Sequence, residues 1–171
     1  MESRDFKPFG SVSALTLGGG GIGNVWGETS KEESIASVHL ALESGIDHLD
    51  VAPMYGKGEA ERVVGEAIKE RSRDSFRLTT KCALGSLPDE EVYDRFNTSL
   101  IRSLDTMGTD YVDLFLLHSQ LIENDHESQK PDSSFVATGN LTTLKSFYDA
   151  VVPAMETLKK EGKILNCLLY T

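Results

Sequence analysis

A carboxylate, a phenol, an ammonium and an imidazole fall at comparable places along this chain. Asp50 ends the alternating run Ile46-Asp47-His48-Leu49-Asp50, and Tyr55 lies in the loop that follows. Lys81 ends the run from Phe76, and His118 ends YVDLFLLH. A phenol has an ordinary pKa near ~10, too high for easy proton exchange at neutral pH. A nearby ammonium favours the phenolate and lowers that value, and a buried ammonium needs a carboxylate partner. Asp50 holding Lys81, with Lys81 tuning Tyr55, would make a general acid. His118 could hydrogen-bond a substrate carbonyl and orient it. Taken singly, a strand-end Asp reads as a cap, a loop Tyr as packing and a strand-end Lys as solvated. Their joint placement at three successive strand ends is what argues for chemistry.

The elements that must position these groups alternate strand with helix. Val12 to Leu17 reads as a strand that meets a glycine run. Ser30 with Glu33 is a capping-box signature. Ile35, Val38, Leu40, Ala41 and Leu42 then give a helical stripe that ends at Gly45. Ile46 to Asp50 is the next strand. Ala60 to Glu70 is a helix with Val63, Val64, Ala67 and Ile68 on one face, and Phe76 to Lys81 is a strand. Pro88 opens a helix whose Val92, Phe96, Leu100 and Leu104 recur every fourth residue. Tyr111 to His118 is a near-continuous apolar run, which suits burial on both faces of a parallel sheet. Residues 119–146 are polar and carry Pro131 and Gly139-Asn140, so a long loop or insertion is expected, with 120–145 the least ordered internal stretch. A helix returns around Phe147 to Glu161 with Pro153 in its first turn, and Ile164 to Leu169 is a fifth strand. Such alternation with right-handed crossovers means α/β with a parallel sheet.

Two architectures compete for the glycines. Gly18, Gly20 and Gly23 fit G-x-G-x-x-G after a strand, the outline of a dinucleotide-binding fingerprint. That fingerprint needs the helix to open on the glycines, whereas Asn24 to Thr29 intervene here and the cap is Ser30. A (β/α) barrel instead gathers C-terminal strand ends on one face, where chemistry sits. It would bring Asp50, Tyr55, Lys81 and His118 together.

The residues also carry a resemblance. GIDHLDVAPMYGKGEAE resembles the aldo-keto reductase signature, with Gly45, Asp50, Ala52, Tyr55 and Glu61 at its recurring positions. SLIRSLDTMGTDYVDLFLLH is similar to the family's second signature, and AMETLKKEGKI to the segment before its fifth strand. The resemblance implies a (β/α)8 barrel that reduces aldehydes and ketones with NADPH, with Asp50, Tyr55, Lys81 and His118 as the catalytic tetrad. It further implies that Gly20 and Gly21, with Asp50, border the cofactor, and that Trp26, Tyr55 and His118 border a small-molecule carbonyl substrate. Glu59 and Glu61 read as helix N-terminal charges rather than catalysts.

Composition bounds the rest. The 171 residues suffice for one domain with a core, and 39% hydrophobic with 26% charged residues is ordinary for a globular protein. A net charge of −10 argues against nonspecific binding to nucleic acid or anionic lipid. No apolar stretch reaches the roughly 20 residues of a membrane span, and the N-terminus lacks a signal-peptide core. Cys82 and Cys167 show no metal spacing and are expected reduced and buried, which suits the cytoplasm. A barrel of this kind usually takes about 250 residues. The expectation is therefore the N-terminal part of one barrel domain, a partial barrel of about five strand–helix units with residues 165–171 off pattern. No Ser-Asn pair to grip a nicotinamide follows Ile164. This favours, as the alternative to an enzyme, a truncated non-catalytic fragment that binds NADPH weakly and self-associates through open sheet edges.

Overall fold

The computed structural model describes residues 1–7, 9–85, 87–123 and 141–170, with 169 and 170 described by backbone alone. An antiparallel hairpin comes first, β1 (Ser3–Phe6) with β2 (Gly10–Ser13). Then follow β3 (Leu17–Gly18), α1 (Gly19–Ile22), α2 (Lys31–Glu43), β4 (His48–Asp50), α3 (Glu59–Ile68), β5 (Arg77–Cys82), α4 (Val92–Met107) and β6 (Val112–His118). The chain continues through β7 (Gln120–Ile122), β8 (Leu141–Thr143), α5 (Leu144–Ser146), a π-helical turn Phe147–Val151, α6 (Val152–Lys160) and β9 (Ile164–Tyr170). One parallel sheet of five strands holds β3, β4, β5, β6 and β9 side by side in chain order. A doubly wound dinucleotide fold reverses its strand order at a switch point; this sheet does not. The order is that of a partial (β/α)8 barrel.

Local chemistry accounts for several boundaries. Ser30 caps α2 with a complete capping box: Glu33 N–H donates to Ser30 Oγ at 3.2 Å, and Ser30 N–H donates to Glu33 Oε2 at 3.1 Å. Within α2 the expected stripe is narrower than its sequence suggests, since Val38 and Ala41 are buried while Leu40 is exposed. In α4, Phe96, Leu100 and Leu104 face inward, and the Phe96 ring meets Phe115 of β6 edge-on at 5.5 Å. Pro153 sits in the first turn of α6, directly after the π-helical turn. That turn's Val152 N–H reaches back five residues to Phe147 C=O. The π register re-routes the backbone ahead of a residue that has no N–H to offer.

Two sequence readings need revision. The expected strand Val12 to Leu17 is split: Val12 and Ser13 belong to the hairpin and Leu17 to the parallel sheet. Ser13 is clamped to Asp47, with Ser13 N–H to Asp47 Oδ1 at 2.8 Å and Asp47 N–H to Ser13 Oγ at 3.0 Å. This link holds the hairpin beside β4 and turns the chain before Thr16. The segment expected as an irregular loop from 119 to 146 contributes a short parallel pair, β7 with β8, tied by Ser119 Oγ and Thr142 Oγ1 at 2.9 Å. Residues 124–140, and with them most of the stretch expected to be least ordered, lie outside the described residues. Residues 165–170 extend β9 along β6, as far as the pairing of Tyr170 with His118.

Candidate active site

Register places the chemistry. Asp50 is paired with Thr79, Thr79 with Leu114, and Lys81 with Leu116. Paired residues of a parallel sheet point the same way, and successive residues alternate. Asp50, Lys81, Leu116 and His118 therefore share one face. Thr80, Phe115 and Leu117 take the other, beneath the helices. Asp50 closes β4, Lys81 is the penultimate residue of β5 and His118 closes β6, so all three stand at the C-terminal end of the sheet. Tyr55 joins them from the loop after β4, where its N–H donates to Ala52 C=O at 3.0 Å.

The four side chains converge. Lys81 is 1% exposed. Its Nζ donates to Asp50 Oδ1 and, at 3.0 Å, to Val51 C=O. The same Nζ stands 4.8 Å from the centre of the Tyr55 ring. The Tyr55 and His118 rings meet nearly at right angles, 6.4 Å apart. Burial, then the Lys81 charge, hold the His118 imidazole below its ordinary range against the pull of Asp50. The Tyr55 phenol departs from the sequence argument. Its pKa is raised, first by burial and then by the Asp50 charge. The Lys81 ammonium was expected to lower it, but that charge is already matched by Asp50, so desolvation of the phenolate wins.

The glycine loop divides into backbone contact and open surface. A Cβ on Gly56, which has φ +61°, would lie 1.8 Å from Gly23 C=O, and one on Gly23 would lie 3.0 Å from Tyr55 C=O. Side chains at either position would force the glycine loop off the Tyr55 loop. Gly20 is covered by the indole of Trp26, which would stand 2.8 Å from a Cβ there. Gly21 is exposed, with nothing within 4 Å of where a Cβ would be. Its backbone is the part of the loop that a bound molecule could approach. Trp26 itself is 77% exposed on the outer side of Gly20.

One further polar residue lies on the face that carries the site. His48, on the Asp50 face, links Thr16 Oγ1 at 3.0 Å and Thr79 Oγ1 at 2.8 Å through its two nitrogens. The alternation that selects Asp50 selects His48 equally. Glu59 is the helix N-terminal charge expected, paired with Arg62 at 2.9 Å. Glu61 is also in the first turn of α3, but it is 3% exposed and accepts from Thr80 Oγ1 at 2.7 Å. Its spacing to Val64 and Ile68 puts it on the buried stripe, a signal legible in the sequence. Cys82 is buried as expected, whereas Cys167 is only partly so, because β9 has no neighbour on its far side among the described residues. No His, Cys, Asp and Glu cluster able to hold a metal ion occurs among the described residues. No helix among them is long and apolar enough to cross a membrane.

A sequence model of the Aldo/keto reductase family matches residues 14–167. The chain is 39% identical over 114 residues to the aldo-keto reductase YhdN of Bacillus subtilis, a match covering 63% of this chain and 34% of the relative. It is 27% identical over 154 residues to the L-galactose dehydrogenase of Arabidopsis thaliana, covering 89% of this chain and 42% of the relative. Among solved structures, an aldo-keto reductase from Klebsiella pneumoniae in complex with NADPH superposes with a TM-score of 0.70 at 26% identity. That superposition covers 98% of this chain and 49% of the other. The chain thus spans half or less of the length of these relatives.

Proposed function

This chain belongs to the aldo/keto reductase family, and we propose that its protein reduces an aldehyde or ketone with NADPH, or runs the reverse oxidation of an alcohol or sugar. The observation that carries this reading is the buried Lys81 ammonium, bonded to Asp50 and set against the Tyr55 ring, with His118 facing that ring. We place the chain within a single barrel domain. Its two free cysteines suit a reducing cytoplasm.

Each residue has a distinct task in this reading. A raised phenol pKa keeps Tyr55 protonated at neutral pH, which is the form a proton donor needs. When bound, the nicotinamide cofactor supplies the hydride that reaches the carbonyl carbon; the Klebsiella relative is an NADPH complex. The carbonyl oxygen takes its proton from the Tyr55 hydroxyl, leaving a phenolate that water then reprotonates. Lys81 stabilises that phenolate, and Asp50 is the carboxylate partner that the buried Lys81 needs. His118, held neutral, has a ring N–H to donate to the carbonyl oxygen and so fixes its orientation. Gly20 and Gly21 of the glycine loop would border the cofactor together with Asp50, and Trp26 stands at the rim for the substrate.

The test follows NADPH consumption by the purified protein across aldehydes, ketones and sugars, in wild type and Tyr55→Phe. General acid catalysis typically contributes ~10²–10⁴-fold. Tyr55→Phe should lose that much turnover while NADPH affinity stays close to parental. A variant that keeps most of the parental kcat excludes Tyr55 as the donor.

A further inference from the structure

We infer that Glu61 is a positioning residue for the Tyr55–Lys81 pair, fastening the helix that follows Tyr55 to the strand that carries Lys81. The inference rests on the catalytic reading of those two residues. Glu61 Oε1 accepts from Thr80 Oγ1 at 2.7 Å, and both residues are buried. Thr80 immediately precedes Lys81 in β5. Alternation turns Thr80 toward the helices when Lys81 points into the site, so the link grips β5 from behind the reacting groups. At its other end Glu61 lies in the first turn of α3, where Ala60 N–H donates to Tyr55 C=O at 3.3 Å. This hydrogen bond thus ties the helix that follows the Tyr55 loop to the strand that carries Lys81, whose Nζ stands 4.8 Å from the Tyr55 ring.

The residue type supports a directional role. Val64 and Ile68 fill the rest of this helix face, and both are buried. An aliphatic side chain at 61 would fill the space without the desolvation cost that a carboxylate carries. It could also slide along β5, whereas an acceptor for Thr80 cannot. The carboxylate trades stability for registration of α3 against β5.

The inference is tested by fluorine NMR on protein labelled with meta-fluorotyrosine, with the Tyr55 resonance identified by its loss in Tyr55→Phe. Glu61→Ala and Thr80→Val should each shift and broaden that resonance, and the double variant should move it no further. Glu61→Gln retains an acceptor and should hold it at the wild-type position. Val64→Ala, a cavity on the same helix face, controls for packing loss and should leave it in place. Turnover should fall roughly 10- to 100-fold in Glu61→Ala with KM near parental, the scale expected when a reacting group is displaced by about 1 Å. A Tyr55 resonance unmoved in both Glu61→Ala and Thr80→Val, or moved as far by Val64→Ala, overturns the inference. The proposed function fails separately, if Tyr55→Phe keeps its turnover. Thr80→Val and Glu61→Gln carry the test should Glu61→Ala not fold.

Discussion

Replacing Asp50 by Asn should cost stability as well as activity, and replacing Lys81 too should restore the stability alone. Lys81 is 1% exposed and Asp50 is its carboxylate partner. Breaking a fully buried pair by removing one member typically costs about 3–5 kcal/mol, because the other charge stays buried without compensation. Two features of this site reduce that. The Asp50 side chain is 28% exposed, so solvent already screens part of the attraction. Val51 C=O still accepts from Nζ at 3.0 Å. A loss of about 2–3 kcal/mol is therefore expected. With urea m-values of about 1–3 kcal/mol/M, the unfolding midpoint should drop by about 0.7–3 M. Asp50→Asn/Lys81→Met removes the buried charge and should return to within about 1 kcal/mol of wild type, with reduction still abolished. Urea unfolding of wild type, both single variants and the double variant closes the cycle. An unchanged midpoint in Asp50→Asn, or a double variant as unstable as the two single losses summed, refutes the electrostatic account of Lys81.

Three further outcomes follow from named contacts. Gly65→Ala gains about 1 kcal/mol of helix propensity, yet its Cβ would stand 2.7 Å from Thr106 C=O and 2.9 Å from Met107 Cα, backbone that cannot swing aside; overpacking costs about 1–3 kcal/mol. The melting temperature should therefore fall, and an unchanged or raised value counts against the close approach of α3 to α4. Gly20→Ala should leave stability nearly unchanged but lift the indole of Trp26, the chain's one tryptophan, and so increase its quenching by acrylamide; equal quenching means that the indole does not rest there. His48 and His118 are both held below the ordinary imidazole value of 6.5, chiefly by burial. The unfolded chain then binds more protons, and their contribution, complete above 6.5, is lost as pH falls below it. His48→Gln/His118→Gln should flatten that limb of the stability–pH curve, and an identical limb in the variant assigns it to other groups.

The readable parts of this chain are those whose cause is local or periodic. Ser30 and Glu33 are three residues apart, and their capping box is complete whatever else the chain does. Asp50, Lys81 and His118 could be placed on one rim because each ends a run with a strand pattern, and a parallel sheet carries all strand ends to the same side. Distance defeats the same reasoning. The break between Val12 and Leu17 depends on the clamp between Ser13 and Asp47, and alternation around Ser13 gives no hint of a partner 34 residues away. The direction of the Tyr55 shift depends on whether desolvation outweighs an ammonium 4.8 Å off, a contest between two magnitudes that residue types alone cannot decide. Glu61 lies between these cases. Its place on the stripe with Val64 and Ile68 was written in the sequence, yet a carboxylate in the first turn of a helix satisfies a local rule so well that burial looked unnecessary. Both statements hold at once, since Glu61 is in that turn and 3% exposed. A charged residue on an apolar stripe should therefore be asked for its partner first. Here that partner is Thr80, one residue from the buried Lys81.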